Sequence, residues 1–287
     1  MKKAWIIVNH FLNTNKFSEL YGFFKDSAKT HNIDLQVFTN SEAYILSEKK
    51  HPLPDFILFW DKDIRLGRLL EGMGAKLFNT PSSIELSDDK YLTFLKLKEK
   101  SLPTPETISV PMTYHNIGYK EDYAFVKEYC GILGLPVVIK EIFGSFGEQV
   151  YLADSVEQAI EIIEKTDCRP AIFQKFIPQS AGRDIRINVV GGKPVAAMER
   201  RSENGDFRAN LTIGGKMKKI TPDERAISLA VSACNALGLD FGGVDLLYNG
   251  NDYLICEVNS NAHFKNIMDL TGINIADKIF EYILEQI

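Results

Sequence analysis

The chain has 287 residues, 45% hydrophobic and 25% charged, which predicts a packed globular protein of about two domains and excludes disordered, collagen-like and low-complexity classes. Its 33 Lys and Arg against 38 Asp and Glu leave a net charge of -5, which argues against a broad basic face for bulk nucleic acid or anionic lipid; any bound anion must be held locally. Cys130, Cys168, Cys234 and Cys256 form no Cys-x-x-Cys pair, no apolar run reaches the ~20 residues of a membrane span, and the apolar stretch after Met1-Lys2-Lys3 is too short for a signal peptide, so a cytoplasmic protein with no membrane partner is expected.

Apolar or β-branched runs at 4–8, 35–39 and 56–60 alternate with helical periodicity, carried in the first interval by Phe17, Leu20, Phe23 and Phe24. Such alternation implies a small parallel sheet, because each crossover needs a helix to return the chain to the same edge. This unit is placed at 1–87. After its first strand stands Asn9-His10-Phe11-Leu12-Asn13 and no Gly-x-Gly-x-x-Gly, so it is expected to support a site without supplying a nucleotide pocket. A helix following Asp88-Asp89-Lys90 ends before Leu102-Pro103-Thr104-Pro105, whose prolines impose an extended segment and a boundary at 88–108. Strands at 136–140 and 149–153 then flank a glycine loop, and Ser155 with Gln158 opens a helix to Lys165. Further strands cover 171–177, 184–201 and 243–259, the last two as hairpins turning at Gly191-Gly192 and Asn249-Gly250. Between them a helix opened by Thr221, Pro222 and Glu224 ends at Gly238, and a closing helix spans 274–286.

Three constellations point to chemistry. In VVIKEIFGSFGEQV, Lys140 adds a fixed charge beside Gly144-Ser145-Phe146-Gly147, whose glycines let backbone N–H groups approach phosphate oxygens. No Gly-x-x-x-x-Gly-Lys-[Ser/Thr] exists in the chain, so the loop reads as a hairpin flap over phosphates, with a plain β-turn as the alternative. Asp245, Glu257 and Asn259 supply oxygen ligands of the kind Mg²⁺ takes together with substrate phosphates. They share a face where Val244 stands opposite Val258 and Leu246 opposite Cys256; a hairpin with one polar outer face is the alternative. Asp184, Arg186 and Asn188 alternate along one strand, Arg200 and Arg201 end the next, and Arg208 and Asn210 follow in a loop. Guanidinium bonds two oxygens of a phosphate or carboxylate at once, so this cluster in an acidic chain points to an anion, with ordinary surface charge as the alternative. The five histidines are scattered, and only His263 lies near a proposed site.

In this order, DDKYLTFLKLKEKSLPTPET, PVVIKEIFGSFGEQV, DIRINVVGGKPVAAMERR, GDFRANLTIGG and GVDLL followed by EVNSN resemble the ATP-grasp family, specifically its RimK-like carboxylate-amine ligases, over residues 88–287. The resemblance implies a small N-terminal parallel α/β lobe (1–87) followed by an ATP-grasp fold of two α+β subdomains. About 88–178 would carry linker and flap, and about 179–287 metal and catalysis. ATP would lie between the subdomains, with Lys90 and Lys140 on its phosphates and Gly144, Ser145, Phe146 and Gly147 as flap. Gln174, Lys175, Phe176 and Ile177 would line adenine, with Asp184 near the ribose and Arg186 in the same cofactor site. Asp245, Glu257 and Asn259 would hold one or two Mg²⁺ (or Mn²⁺), and Arg200, Arg208 and Asn210 would face the transferring phosphate and the acceptor carboxylate. Lys175 stands where the family commonly has Glu, and Asn261-Ala262-His263-Phe264 replaces a common Pro-Gly turn near the acceptor site.

The activity implied is ligation: a substrate carboxylate takes the γ-phosphate as an acylphosphate, which the amine of an amino acid or peptide, glutamate by family analogy, then displaces. The expected partners are a small-molecule or peptide carboxylate and an amino acid, with a homo-oligomer left open. Two other readings remain: a catalytically silent ATP-binding relative with a regulatory or binding role, and an oxidoreductase using the first unit.

Overall fold

The computed structural model describes residues 1–12, 14–120, 122–144, 147–209 and 215–287; Ser145, Phe146 and Asn210 of the expected site lie outside the described residues. In the first lobe β1 (Lys2–Val8), β2 (Ile33–Thr39), β3 (Phe56–Trp60) and β4 (Leu77–Phe78) form a parallel sheet in the order β2-β1-β3-β4. α1 (Asn15–Thr30), α2 (Asn40–Glu48) and α3 (Ile64–Gly72) make the crossovers. The two central strands are buried over Ala4–Val8 and throughout β3, as a sheet covered on both faces requires. α1 presents Leu20, Phe24, Ser27 and Ala28 inward, one stripe at helical spacing. The two-residue β4 was not expected, since a strand that short has no period to read.

α4 (Pro81–Asp88) and α5 (Lys90–Glu99) form one broken rod. Asp89 makes the break by accepting from the N–H groups of Tyr91 and Leu92 at 2.8 and 2.9 Å, which sets Lys90 on the first turn of a new helix. β5 (Thr107–Ser109), α6 (Ala124–Leu133), β6 (Val137–Glu141), β7 (Val150–Ala153), α7 (Val156–Lys165) and β8 (Ala171–Lys175) build an antiparallel sheet, β5-β8-β6-β7, around its own core of Val126, Val137, Ile139, Ile163 and Phe173.

The third sheet contains β9 (Arg183–Val190), β10 (Lys193–Arg201), β11 (Lys216–Lys219), β12 (Phe241–Asn249) and β13 (Asp252–Asn259) in the order β11-β10-β9-β12-β13, all antiparallel among the described residues. Gly191 and Gly192 turn the β9-β10 hairpin at φ +55° and +71°, the left-handed pair such a tight turn needs. α8 (Glu224–Leu237), capped by Asp223 and closed by left-handed Gly238, covers one face through Ala226, Ala230, Ala233 and Leu237. The expected pairing of β12 with β13 holds at Val244 opposite Val258 and fails one step on: Leu246 faces Ile255, not Cys256. A bulge at Cys256 shifts the register there, inserting one residue beside the charged positions, which is where bulges commonly re-aim a side chain.

α9 (Lys265–Thr271) and α10 (Ile275–Glu285) return to the first lobe. Phe264, Ile275, Ile279, Phe280 and Ile283 share one core with Ala4, Ile6, Leu20, Phe24 and Phe56. Trp60 stacks on Phe241 at 5.7 Å and meets Phe24 edge-on at 4.8 Å. The fully buried Asn79 side chain donates to the Phe241 and Ser260 carbonyls and accepts from the Asp240 and Phe241 N–H groups, pinning the lobe to the third sheet. Among the described residues no helix is long and apolar enough to cross a membrane.

If the last helix is structural rather than appended, Phe280→Ala must damage the first lobe's core. We expect a loss of about 3–5 kcal/mol in urea denaturation; a loss below about 1 kcal/mol would detach α10 from the core.

Candidate active site

Strand register writes a row of charge across the third sheet. Arg200 on β10 faces Asp184 on β9, Arg186 on β9 faces Asp245 on β12, and Asp245 faces Glu257 on β13. Arg200 donates through Nε and Nη2 to both Asp184 oxygens at 2.7 and 2.5 Å, and its Nη2 also lies 3.0 Å from Asp245. Arg186 donates to both Asp245 oxygens at 2.7 and 2.6 Å. Asp184, Arg200 and Asp245 are all buried. Burial pushes the Asp245 carboxyl up, but Arg186 and Arg200 prevail and hold it below the ordinary carboxylate range. Such a buried network is retained only with every member bonded, because removing one partner strands a charge.

Above this row lies a cleft between the second and third sheets. It gathers Lys90, Lys140, Gly144 and Gly147 on one side, with Asp184, Arg200, Arg208, Asp245 and Glu257 coming from the third sheet and its loop. Gln174, Lys175, Phe176 and Ile177 enter from the end of β8, as the sequence suggested, with Val138, Val150 and Leu247 adding apolar walls. The Gln174 side chain is tied to Thr107 at 3.0 Å and Lys175 to Glu106 at 3.1 Å, and the Lys175 N–H is bonded to the Glu106 carbonyl at 2.8 Å. Lys90 Nζ donates to the carbonyls of Ile142 and Gly144 at 3.0 and 2.7 Å and stands 4.0 Å from Glu257, so it links the flap root to the charged row. Burial lowers the Lys90 pKa, with Glu257 opposing. Lys140 Nζ lies 3.5 Å from Cys256 Sγ. Arg208 donates to the Gly147 carbonyl at 2.6 Å and to the Asp206 carboxylate at 2.7 Å, reaching from the third sheet's loop to the flap.

A second, roomier cleft of about 260 Å³ opens on the other side of the same row, against the first lobe. Arg186, Arg200, Asp245, Glu257 and Asn259 line it from the sheet, and Asn9, Lys16 and Asp61 from the lobe. The two clefts share Arg200, Asp245 and Glu257. His263 lines the second cleft with Nε2 3.3 Å from the Lys16 carbonyl; burial lowers its pKa. Asn188 is buried, and Arg201 is exposed beside Glu199. Asp61, Asn9, Arg183 and Cys256 were missed: the first two come from a lobe with no motif, Arg183 sits one place off the alternating set, and only the bulge brings Cys256 to the cleft.

The donor set fits a hard cation. Among the described residues no group of three or more His, Cys, Asp or Glu could hold a metal alone. Two carboxylates and an amide on adjacent strands are the incomplete oxygen set that Mg²⁺ occupies while keeping waters and phosphate oxygens. The buried Asn259 amide nitrogen has no hydrogen-bond partner, so nothing in the protein fixes that amide, and Glu257 is partly open.

Comparison with known proteins agrees with this arrangement. Residues 87–283 match the RimK-like ATP-grasp domain. A probable alpha-L-glutamate ligase of Legionella pneumophila is 39% identical over 220 residues, covering 75% of this chain and 69% of the relative. Human N-acetylaspartylglutamate synthase A is 34% identical over 225 residues, 77% of this chain and 56% of the relative. D-alanine–D-alanine ligase from Bacillus anthracis superposes with a TM-score of 0.77 at 19% identity, over 99% of this chain and 97% of that one. Fold and paired clefts thus define an ATP-grasp ligase. The chain belongs to the RimK-like ATP-grasp family, the ADP-forming carboxylate-amine ligases, and is an enzyme of ATP-dependent amide-bond formation with an amino acid.

Two outcomes follow from the electrostatics. Arg200→Met strands Asp184 in a buried site and should cost about 3–5 kcal/mol in denaturant titration; a near-neutral change would show the pair to be hydrated. Because His263 binds a proton less readily folded than unfolded, its contribution is intact above about pH 6.5 and declines as pH falls. His263→Asn should therefore shrink the stability difference between pH 7.5 and 5.5; an unchanged difference would remove His263 from the account.

Proposed function

We propose that the first cleft holds Mg²⁺-ATP and the second the acceptor carboxylate and incoming amine, so that reaction occurs at their shared wall. The observation that carries this reading is that Arg200, Asp245 and Glu257 belong to both clefts. Lys90 and Lys140 bind phosphate oxygens, Phe176 and Ile177 pack adenine, and Asp184 lies on the ribose side while orienting Arg200. A divalent ion, Mg²⁺ or Mn²⁺, held by Asp245, Glu257 and Asn259, neutralises phosphate charge when bound.

The acceptor carboxylate displaces ADP from the γ-phosphorus to give an acylphosphate, and the amine then displaces phosphate to leave the amide. Arg200 is pre-aimed by two carboxylates, so it meets developing charge without reorganising. Arg208 sits where it closes Gly147 over the cleft and excludes water from the acylphosphate. The names of the relatives make glutamate the first amine to test. Four unpaired cysteines support a reducing, cytoplasmic setting.

The test is ADP release with Mg²⁺-ATP across a matrix of carboxylate acceptors and amino acids, where amine-stimulated turnover is expected; tight ATP binding without it for any pair would favour the silent relative. Glu257→Gln should lower turnover by about a hundredfold or more with an unchanged melting temperature. Activity near wild type would sink the metal assignment.

A further inference from the structure

Two buried oxygen atoms on the lobe side of the second cleft lack any donor. Asp61 follows Trp60 at the end of β3 and is 5% exposed. Its Oδ1 accepts from the Lys62 N–H at 2.6 Å and from Asn9 Nδ2 at 3.3 Å, whereas its Oδ2 has no hydrogen-bond partner. Asn261, on the turn after β13, donates its Nδ2 to the Asp61 backbone carbonyl at 3.1 Å. That bond fixes the amide's orientation, since the reverse would face oxygen to oxygen, and it leaves Asn261 Oδ1 buried without a donor as well. The adjacent cation does not answer them: the Lys62 ammonium is bonded to Asp88.

We propose that Asp61 and Asn261 form a subsite for the ammonium group of an amino-acid substrate. This deepens the ligase reading and rests on it for which molecule enters the cleft. An ammonium has three donors and no acceptor, matching two donor-starved oxygens, one of them charged; a hydroxyl brings a single donor and no charge. No third carboxylate, His or Cys joins them in a metal set among the described residues. The opposite wall carries Arg186 and Arg200 paired with Asp245 and Asp184, with Glu257 beside them, and the lobe adds Lys16 and Lys62, so the two unpaired oxygens are a local acceptor pair in a cleft of mixed charge. Burial raises the Asp61 pKa, with the Lys62 N–H opposing, so an unpaired charge at this carboxyl is disfavoured until a donor or cation meets it.

The test uses the full chain loaded with Mg²⁺ and a non-hydrolysable ATP analogue, titrated with three matched pairs: glutamate and 2-hydroxyglutarate, aspartate and malate, alanine and lactate. Wild type should bind at least one amino acid about tenfold or more tightly than its hydroxy partner, and Asp61→Asn should erase most of that preference while leaving binding of the ATP analogue unchanged. In turnover, Asp61→Asn should raise the KM for the amine far more than it lowers kcat. Without ligand the variant should melt at or above wild type, because a buried unpaired charge is gone; a purely structural Asp61 would predict a lower melting temperature. Asn261→Ser, which keeps Asp61 intact, should weaken the preference several-fold and serves if Asp61→Asn does not fold. A wild type with no amine preference in any pair, or variants that retain it, overturns the proposal. Preference for an amine together with absent ADP release supports the subsite and counts against the ligase reading instead.

Discussion

The structure turns on one row of alternating charge. Arg200, Asp184, Arg186, Asp245 and Glu257 lie across four neighbouring strands, each brought to its partner by register alone. Taking these groups from water is costly, and bidentate pairing offsets that cost only while the strands stay in place. On the opposite face the same strands bury Ile185, Ile187, Val244 and Leu246 against α8. A slip of one residue would send charge into that apolar layer, so core and active site enforce one another. Both clefts take their shared wall from this row.

The first lobe is the second wall, and it is held by hydrophobic contact. Phe24, Trp60, Phe241, Phe264 and Phe280 form a continuous aromatic stack through the junction. That rigidity lets Asp61, on one body, face Arg186, on another. The first cleft is different, being spanned by polar links such as Arg208 to Gly147 and Lys90 to Gly144.

Much of this was legible in the sequence. Apolar runs located most strands but not β4, β5 or β11; Gly238 marked the end of α8, whose cap is Asp223 and not the expected Thr221; and the Gly191-Gly192 turn announced its hairpin. Cleft-lining residues were legible where they cluster in motifs: Lys140 and Gly144 in one strand-loop and Asp184 for the first cleft, Arg186 and Asn259 for the second, and Glu257 for both. What escaped has a common cause. Asp61 meets Asn9 and the turn of Asn261, which the sequence did place near the acceptor site, only through long-range packing, and no local period marks a buried acceptor that lacks a donor. The Cys256 bulge escaped because apolar pairing of Leu246 with Cys256 or with Ile255 is equally acceptable to a pattern of hydrophobicity. Lys175, in a position the family commonly fills with Glu, simply pairs outward with Glu106.

The core around Val126, Ile139 and Phe173 draws all its members from residues 108–173, while one core on the other side combines the beginning of the chain with its end. The polypeptide therefore crosses between the two bodies only twice, before β5 and after β8. Mechanically the molecule is a base whose two ends are stitched together, carrying a jaw on a two-strand hinge. Arg208 to Gly147 and Lys90 to Gly144 span the same gap, so the jaw's stance over the base is set by two covalent crossings and a few exchangeable polar contacts.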